Sequence, residues 1–222
     1  MRINIKELID FFDDKKNSKK GDPNALTAMF GEELNASVFN HFMDNKLEIL
    51  EESVLPGTNK GNRLDRWIVN KDNKILFQCE IKNWAATAIG GKQLKLDCND
   101  EKLKETIKHY CEHELKNSFY LTKQPNGVTK VLLKMKPPKE YENYTIKPLV
   151  IYWMPVSFNG IEPLSKISLK EFNFPFKTEY AELSIFSVSI YLRNLYKSGI
   201  KYIDLEMPIL EHRIKLLETL IK

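Results

Sequence analysis

The nine residues LFQCEIKNW, which begin at Leu76, combine an apolar run with two charged side chains near its end. Burying a carboxylate or an ammonium group costs free energy unless the group has a partner. If this segment is a β-strand, alternate side chains share a face, and Gln78, Glu80 and Lys82 then lie together opposite an apolar face. The spacing therefore predicts a ladder of an amide, a carboxylate and an ammonium group at one end of a sheet.

A second carboxylate is expected on the strand-like segment RLDRWIV that precedes this one. We treat NKDN as the connection of an antiparallel hairpin that pairs Asn70 with Asn73. Counting back places Asp65 opposite Gln78 and diagonal to Glu80, on the same face. Diagonal neighbours are about 7–8 Å apart at the backbone, which is close enough for two carboxylates to share a cation. A slip of one residue would turn Asp65 to the other face.

These residue types suit the hydrolysis of a phosphodiester bond. Two converging carboxylates repel each other unless a cation lies between them, and oxygen ligands favour Mg²⁺ or Mn²⁺. A neighbouring lysine such as Lys82 can orient or help to deprotonate a water activated by the metal, and it offsets charge that develops on the phosphate. The pattern thus indicates a metal-dependent hydrolase.

The combination of Leu64-Asp65 with QCEIK on the next strand resembles the PD-(D/E)xK nuclease superfamily. The resemblance covers residues 22–155, and Leu64 stands where the family motif has proline. It implies a restriction-endonuclease-like fold with the core order helix, three strands, helix, strand (αβββαβ). It also implies that Asp65, Glu80 and the main-chain carbonyl of Ile81 bind the metal.

The resemblance assigns roles to three further side chains. It implies that Lys82 is the catalytic lysine. The segment FGEELNA is similar to the first helix of junction-resolvase-like members, which often brings a glutamate to the metal, and Glu33 is the expected counterpart. Some members have a glutamine on the helix after the lysine, a position that Gln93 resembles. Gln78 matches no family position and is expected to support the site by a hydrogen bond to a ligand or to Asp65.

Hydrophobic periodicity predicts an α/β (α+β) protein with a mixed β-sheet flanked by helices. The expected parts are an N-terminal helix and basic loop (1–21), the nuclease-like core (22–155) and a C-terminal α/β extension (156–222). KPLVIYWMPV is expected to be a central strand covered on both faces. The other expected elements are a helix from Asp22 to about Asp44, strands in KLEILEESVLP, RLDRWIV, KILFQCEIK, GVTKVLLKMK and IKYIDLEM, and helices from about Asp100, over 181–197 and over 208–221.

Composition permits nucleic-acid binding but does not establish it. The 222 residues carry a net charge of +4, and lysine supplies most of the positive side chains. No apolar run approaches the roughly 20 residues of a membrane span, and three scattered cysteines favour a reducing, cytoplasmic compartment. DNA is the expected partner, and the resemblance leaves a homodimer open because many members dimerise. The residues expected to contact phosphates around the site are Lys60, Arg63, Arg66, Lys92 and Lys95.

The acid-x-Lys triplet by itself carries little weight, because it also begins at Asp44, Asp72, Asp100 and Glu114. The triplet at Glu80 differs because it ends an apolar strand beside a second carboxylate. We therefore expect a Mg²⁺-dependent deoxyribonuclease, acting as an endonuclease through a metal-activated water. A non-catalytic module of the same fold that binds nucleic acid or protein is the alternative. In a third interpretation the hairpin is only structural, and Asp65 and Glu80 lie far apart or on opposite faces.

Overall fold

A six-stranded mixed sheet contains the expected polar ladder. A computed structural model of the chain describes residues 1–13, 30, 32–50, 64–82, 98–114, 127–171 and 178–221. Within these ranges the strands are β1 (Arg2–Asn4), β2 (Leu47–Ile49), β3 (Arg66–Asn70), β4 (Ile75–Lys82), β5 (Thr145–Tyr152), β6 (Leu164–Ser168), β7 (Glu182–Ser187) and β8 (Tyr202–Asp204).

The described α-helices are α1 (Ile5–Asp13), α2 (Glu33–Phe42), α3 (Asp100–Glu114), α4 (Val188–Lys197) and α5 (Pro208–Leu220). Short 3-10 helices span Gly127–Leu132, Lys139–Tyr141 and Leu169–Glu171. The expected helix start at Asp22 lies outside the described residues. Among the described helices, none has the length and apolar character needed to cross a membrane.

The strands of the sheet follow the order β2-β3-β4-β5-β7-β6. β2, β3 and β4 are antiparallel neighbours, β4, β5 and β7 run parallel, and β6 is antiparallel to β7. The prediction of a central strand in KPLVIYWMPV is confirmed, because β5 lies between β4 and β7 and Leu149–Tyr152 are at most 1% exposed. The carboxyl ends of the parallel strands therefore meet at one edge, which includes Lys82.

The two faces of β4 predicted from alternation are confirmed. Phe77, Cys79 and Ile81 pack in one core cluster with residues of α2 and α4. Leu76 belongs to the other cluster, with residues of α3 and of the segment after residue 127. Glu80 lies on this second face, and the residue as a whole is 2% exposed.

The β3–β4 hairpin turns through four residues, Lys71–Lys74, whereas the expected connection had two. Asn70 therefore pairs with Ile75 instead of Asn73. The Asn70 side chain accepts a hydrogen bond of 3.0 Å from the Asn73 backbone N–H, and Lys74 adopts a φ of 50°. Asparagine stabilises turns through such bonds to the backbone two or three residues on, which favours the longer loop.

The longer loop shifts the register by two residues and keeps Asp65 on the Glu80 face. The last pair of the ladder joins Arg66 to Cys79. One further step places Asp65, which directly precedes β3, opposite Glu80. The expected diagonal register was wrong. The predicted faces are nevertheless correct, because a shift of two equals one full period of side-chain alternation.

Three described segments differ from their expected secondary structure. Arg2–Asn4, expected within the N-terminal helix, form the strand β1. GVTKVLLKMK was expected to be a strand, but it forms a 3-10 helix followed by irregular chain. The range 181–197 was expected to be one helix, but it forms β7 and then α4. The Ser187 side chain accepts a hydrogen bond from the Ile190 backbone N–H, and such a cap begins α4 at that point.

The sheet continues across the expected boundary between residues 155 and 156. β6 and β7 belong to the predicted extension, yet they pair in the same sheet as β4 and β5. β8 also belongs to the extension, and it pairs with β1 through Ile3 and Ile203. Residues on both sides of the boundary therefore share one sheet.

Candidate active site

The hairpin brings together the three side chains that the sequence assigned to catalysis. Asp65 Oδ2 accepts a hydrogen bond of 2.7 Å from the Ile81 backbone N–H. Lys82 Nζ donates a hydrogen bond of 2.8 Å to Glu80 Oε1. The side chain of Glu80 is 3% exposed and that of Lys82 is 34% exposed, so the carboxylate is enclosed while the ammonium group reaches solvent.

Burial raises the pKa of both carboxyl groups. The negative charge of Asp65 raises the pKa of Glu80 further, whereas Lys82 opposes the shift. The pKa shift of Asp65 is opposed first by the hydrogen bond from Ile81 and then by the charge of Lys82. Asp65 and Glu80 share a face and act on each other electrostatically, so the separation that the third interpretation expects is not found.

One oxygen of the buried Glu80 carboxylate, Oε2, has no hydrogen-bond partner among the described residues. A buried polar atom without a partner costs about 1–3 kcal/mol, and more when it is charged. Native proteins satisfy nearly all such atoms, and an ion or a water is one way in which they do so. A cation held between Glu80 and Asp65 would supply the missing partner.

The donor set fits Mg²⁺ or Mn²⁺. The N–H and C=O groups of one strand residue point to the same neighbouring strand. The Ile81 carbonyl is therefore directed to the side of β4 on which the Ile81 N–H donates to Asp65. Within the described ranges, no group of three or more His, Cys, Asp and Glu is arranged to hold a metal ion. Mg²⁺ needs no such group, because it keeps several waters and is typically bound by one or two carboxylates. Asp65, Glu80 and the Ile81 carbonyl would hold it.

Gln78 has a structural role in place of the expected supporting role. Its Nε2 donates hydrogen bonds to the carbonyls of Val131 (2.9 Å) and Leu133 (2.6 Å), and its Oε1 accepts one of 3.1 Å from the Met135 backbone N–H. The side chain is fully buried. It therefore binds residues 127–135, hereafter the covering segment, to the face of β4 and is not directed at Asp65.

Glu33 contacts the last helix in place of the expected metal site. Its Oε1 accepts a hydrogen bond of 2.8 Å from the Ile209 backbone N–H, and its Oε2 accepts one of 2.8 Å from Leu210. Both N–H groups belong to the first turn of α5, where backbone donors have no acceptor within the helix. The sequence could not indicate this contact, because α5 is remote along the chain. The structure thus assigns Glu33 to capping α5.

Arg66 was expected to contact phosphates, but the residue is 6% exposed and its guanidinium group is used within the protein. Its Nη1 donates a hydrogen bond of 2.9 Å to the Asp65 carbonyl and lies 3.4 Å from Glu32 Oε2. The expected phosphate contact is therefore corrected to an ion pair of the buried Arg66 with the half-buried Glu32, on the opposite face of β3. The remaining candidates, Lys60, Arg63, Lys92, Gln93 and Lys95, lie outside the described residues, and their roles stay predictions.

The sequence did not indicate Lys130, which lies in the covering segment. This half-buried residue lowers the pKa of Asp65 and of Glu80 through its positive charge, against the larger effect of burial. The sequence analysis missed it because it predicted a strand here, whereas contacts between distant residues, such as those of Gln78, locate the covering segment beside β4. No local sequence signal would have identified it.

Comparisons with protein-family models, with curated proteins and with solved structures give no match for this chain. Its function is therefore inferred from the carboxylate pair, from the lysines beside it and from the elements that hold them.

Proposed function

We propose that this protein is a Mg²⁺-dependent nuclease that hydrolyses phosphodiester bonds of DNA, with Asp65, Glu80 and Lys82 as its catalytic residues. The buried Glu80 carboxylate carries the proposal, because one oxygen pairs with Lys82 and the other has no described hydrogen-bond partner. A purely structural carboxylate at this depth is expected to have both oxygens satisfied. A divalent cation shared with Asp65 accounts for the arrangement.

The order of the elements supports a PD-(D/E)xK nuclease with a restriction-endonuclease-like fold. Within the described part of the chain, the elements from α2 to β5 are a helix, three strands, a helix and a strand, with two 3-10 helices before β5. This order is compatible with the αβββαβ core that the sequence resemblance implies. A fold hosts many functions, so the site carries the functional argument and the fold adds to it.

Each residue of the site has a distinct part in the proposed reaction. Asp65 and Glu80 hold the ion, and the hydrogen bond from Ile81 fixes the orientation of the Asp65 carboxylate. When bound, Mg²⁺ supplies Lewis-acid chemistry, since it polarises a phosphoryl oxygen and makes a water more acidic. Lys82 reaches solvent at the mouth of the site, where its ammonium group orients the attacking water and offsets negative charge on the phosphate.

The test compares Glu80→Gln with Asp72→Asn on labelled DNA and RNA oligonucleotides in Mg²⁺, Mn²⁺ and EDTA. Asp72 is a matched control, because it begins another acid-x-Lys triplet on the same hairpin but is exposed in the turn. We expect the wild type and Asp72→Asn to cleave DNA only when metal is present. Glu80→Gln should lose more than about 100-fold in rate. Losing only an outer-shell partner of a metal ligand already costs up to about 100-fold, and Glu80 is proposed to be a ligand itself.

Retained cleavage by a folded Glu80→Gln protein would contradict the proposed mechanism. Circular dichroism and thermal unfolding check that the variant folds. A wild type that binds oligonucleotides without cleaving them in any metal would favour the alternative, a non-catalytic nucleic-acid-binding module. Preferential cleavage of RNA would correct the substrate while leaving the site intact.

A further inference from the structure

The covering segment has a fixed position beside the carboxylate pair. Gln78, which anchors it, precedes Glu80 by two residues and lies on the same face of β4. Its fully buried side chain makes hydrogen bonds to three backbone groups of the segment, at Val131, Leu133 and Met135. Two residues along a strand span about 7 Å, so the backbone that Gln78 anchors lies near Glu80.

Lys130 immediately precedes the first of these anchored positions. It is half-buried, and no described carboxylate lies within salt-bridge distance of its ammonium group. Its charge nevertheless acts on both Asp65 and Glu80. Lys82 differs, because its ammonium group is hydrogen-bonded to Glu80. Lys130 therefore lies near the carboxylate pair, and among the described residues its ammonium group has no recorded partner that would compete with a ligand.

The charges around the site indicate what kind of ligand Lys130 would take. Two carboxylates and the two lysines beside them cancel, so a bound divalent ion leaves the site with two net positive charges. An anion with oxygen acceptors neutralises this excess, and each phosphate of a nucleic-acid backbone carries one negative charge. An ammonium group on a flexible stem binds such oxygens as a point charge without demanding one orientation.

We propose that Lys130 is a substrate-binding residue whose ammonium group contacts a backbone phosphate of the nucleic acid next to the Asp65–Glu80 pair. This inference rests on the proposed function, since it names a further residue of the same site. The competing explanation is that Lys130 serves only as a counter-ion for the two carboxylates. The two explanations differ in what Lys130 does to nucleic-acid binding.

The experiment measures two affinities of Lys130→Gln in the full-length protein. Isothermal titration measures Mn²⁺ binding, which should become several-fold tighter, because a positive charge beside the metal ligands is removed. Fluorescence anisotropy in EDTA over a series of salt concentrations measures the binding of a labelled DNA oligonucleotide. That affinity should fall several-fold, and the slope of log K against log[salt] should decrease in magnitude by about one, as for a lost phosphate contact.

Lys134→Gln is the matched control, because Lys134 lies in the same covering segment but is exposed and paired with Glu179 at 3.1 Å. We expect it to leave Mn²⁺ binding unchanged. Lys130→Arg keeps the charge and should retain oligonucleotide binding. An unchanged salt slope in Lys130→Gln, with tighter Mn²⁺ binding, would overturn the phosphate contact and leave only the counter-ion role.

The outcome also separates this inference from the proposed function. A changed slope in a protein that never cleaves nucleic acid would retain the phosphate contact and reject the nuclease. Metal-dependent cleavage together with an unchanged slope would retain the nuclease and reject the contact. A wild type that binds neither Mn²⁺ nor the oligonucleotide would overturn both.

Discussion

Glu80 holds a negative charge in a place that is almost closed to solvent. Its side chain is 3% exposed, and only one of its oxygens has a described partner, the ammonium group of Lys82. Burial and the charge of Asp65 raise its pKa, and these effects outweigh the attraction of Lys82. Without a metal ion, the negative charge of Glu80 therefore lowers the stability of the folded protein. The same charge is the one that would bind a cation.

This balance predicts how stability without metal depends on pH. The pKa of Glu80 is higher in the folded protein than its ordinary value of 4.5, so the folded state binds the proton more tightly than the unfolded state does. Stability is then greatest below the unfolded pKa and falls as the pH rises through the folded pKa, by about 1.4 kcal/mol for each pKa unit. In EDTA, Glu80→Gln should therefore melt at a higher temperature than the wild type at neutral pH, and the difference should vanish in acid.

Thermal unfolding in EDTA between about pH 4 and pH 8 checks this prediction. The exposed Asp72→Asn should follow the wild type at every pH. Adding Mn²⁺ should reverse the order, because a ligand at 100 times its Kd stabilises by about 2.7 kcal/mol and Glu80→Gln should gain little. A lower melting temperature for Glu80→Gln in EDTA at neutral pH would mean that the ion pair with Lys82 outweighs burial.

At the scale of elements, hydrophobic patterns located the strands that position the site. The alternation in β4 and the apolar run in β5 are local signals, and both strands are confirmed. Asp65 was placed on the correct face although the register was wrong, because the four-residue loop changed the pairing by a full period. The alternation of side chains along the two strands was therefore sufficient to predict that Asp65 and Glu80 lie on the same face.

Contacts between distant residues account for what the sequence did not reveal. The side chain of Gln78 forms hydrogen bonds with three backbone groups of the covering segment, which lies against β4 without forming a strand. Glu33 borders the apolar stripe of α2, a position that suits either a ligand or a cap. The contact of Glu33 with α5 decides between the ligand role and the cap role. The hydrophobic periodicity of neither helix could predict that contact.

The capping role of Glu33 predicts a loss of stability on substitution. Glu33→Ala would leave the backbone N–H groups of Ile209 and Leu210 without their acceptors, and hydrogen bonds to a charged group contribute about 1.5–3 kcal/mol each. We expect unfolding by urea to show a loss of about 3–6 kcal/mol. Amide hydrogen exchange should speed up in the first turn of α5.

Glu211→Ala is the control for Glu33, because Glu211 lies in the same turn of α5 and its side chain is 46% exposed. It should change stability by less than about 1 kcal/mol. Glu33→Gln keeps one acceptor oxygen and should remain folded with its DNA cleavage intact. A folded Glu33→Gln protein that has lost Mg²⁺-dependent cleavage would restore the metal-binding role that the sequence resemblance implied.

At the scale of the whole molecule, the site depends on residues from both halves of the chain. β7 pairs with β5 in parallel from Leu149 with Ser184 to Tyr152 with Ser187. β1 pairs with β8, and Glu33 of α2 caps α5. The expected accessory extension therefore completes the sheet on which the carboxylate pair stands, and β5 is central only because β7 covers its second edge.

A fragment that ends at the expected domain boundary should consequently fail to fold. Removing residues after 155 deletes the partners of β5 along one edge and the side chains of Leu183, Ile185 and Phe186, which are at most 1% exposed. Each such side chain contributes about 1.5–3 kcal/mol by burial, and a domain is stable by only about 5–15 kcal/mol. We expect fragment 1–155 to aggregate or to unfold without a cooperative transition.

Fragment 1–215 is the control, since the large apolar side chains it loses are 44–79% exposed. It should unfold cooperatively near the full-length midpoint. A cooperative transition in fragment 1–155 would make residue 155 a true domain boundary and would leave the candidate site independent of the C-terminal strands.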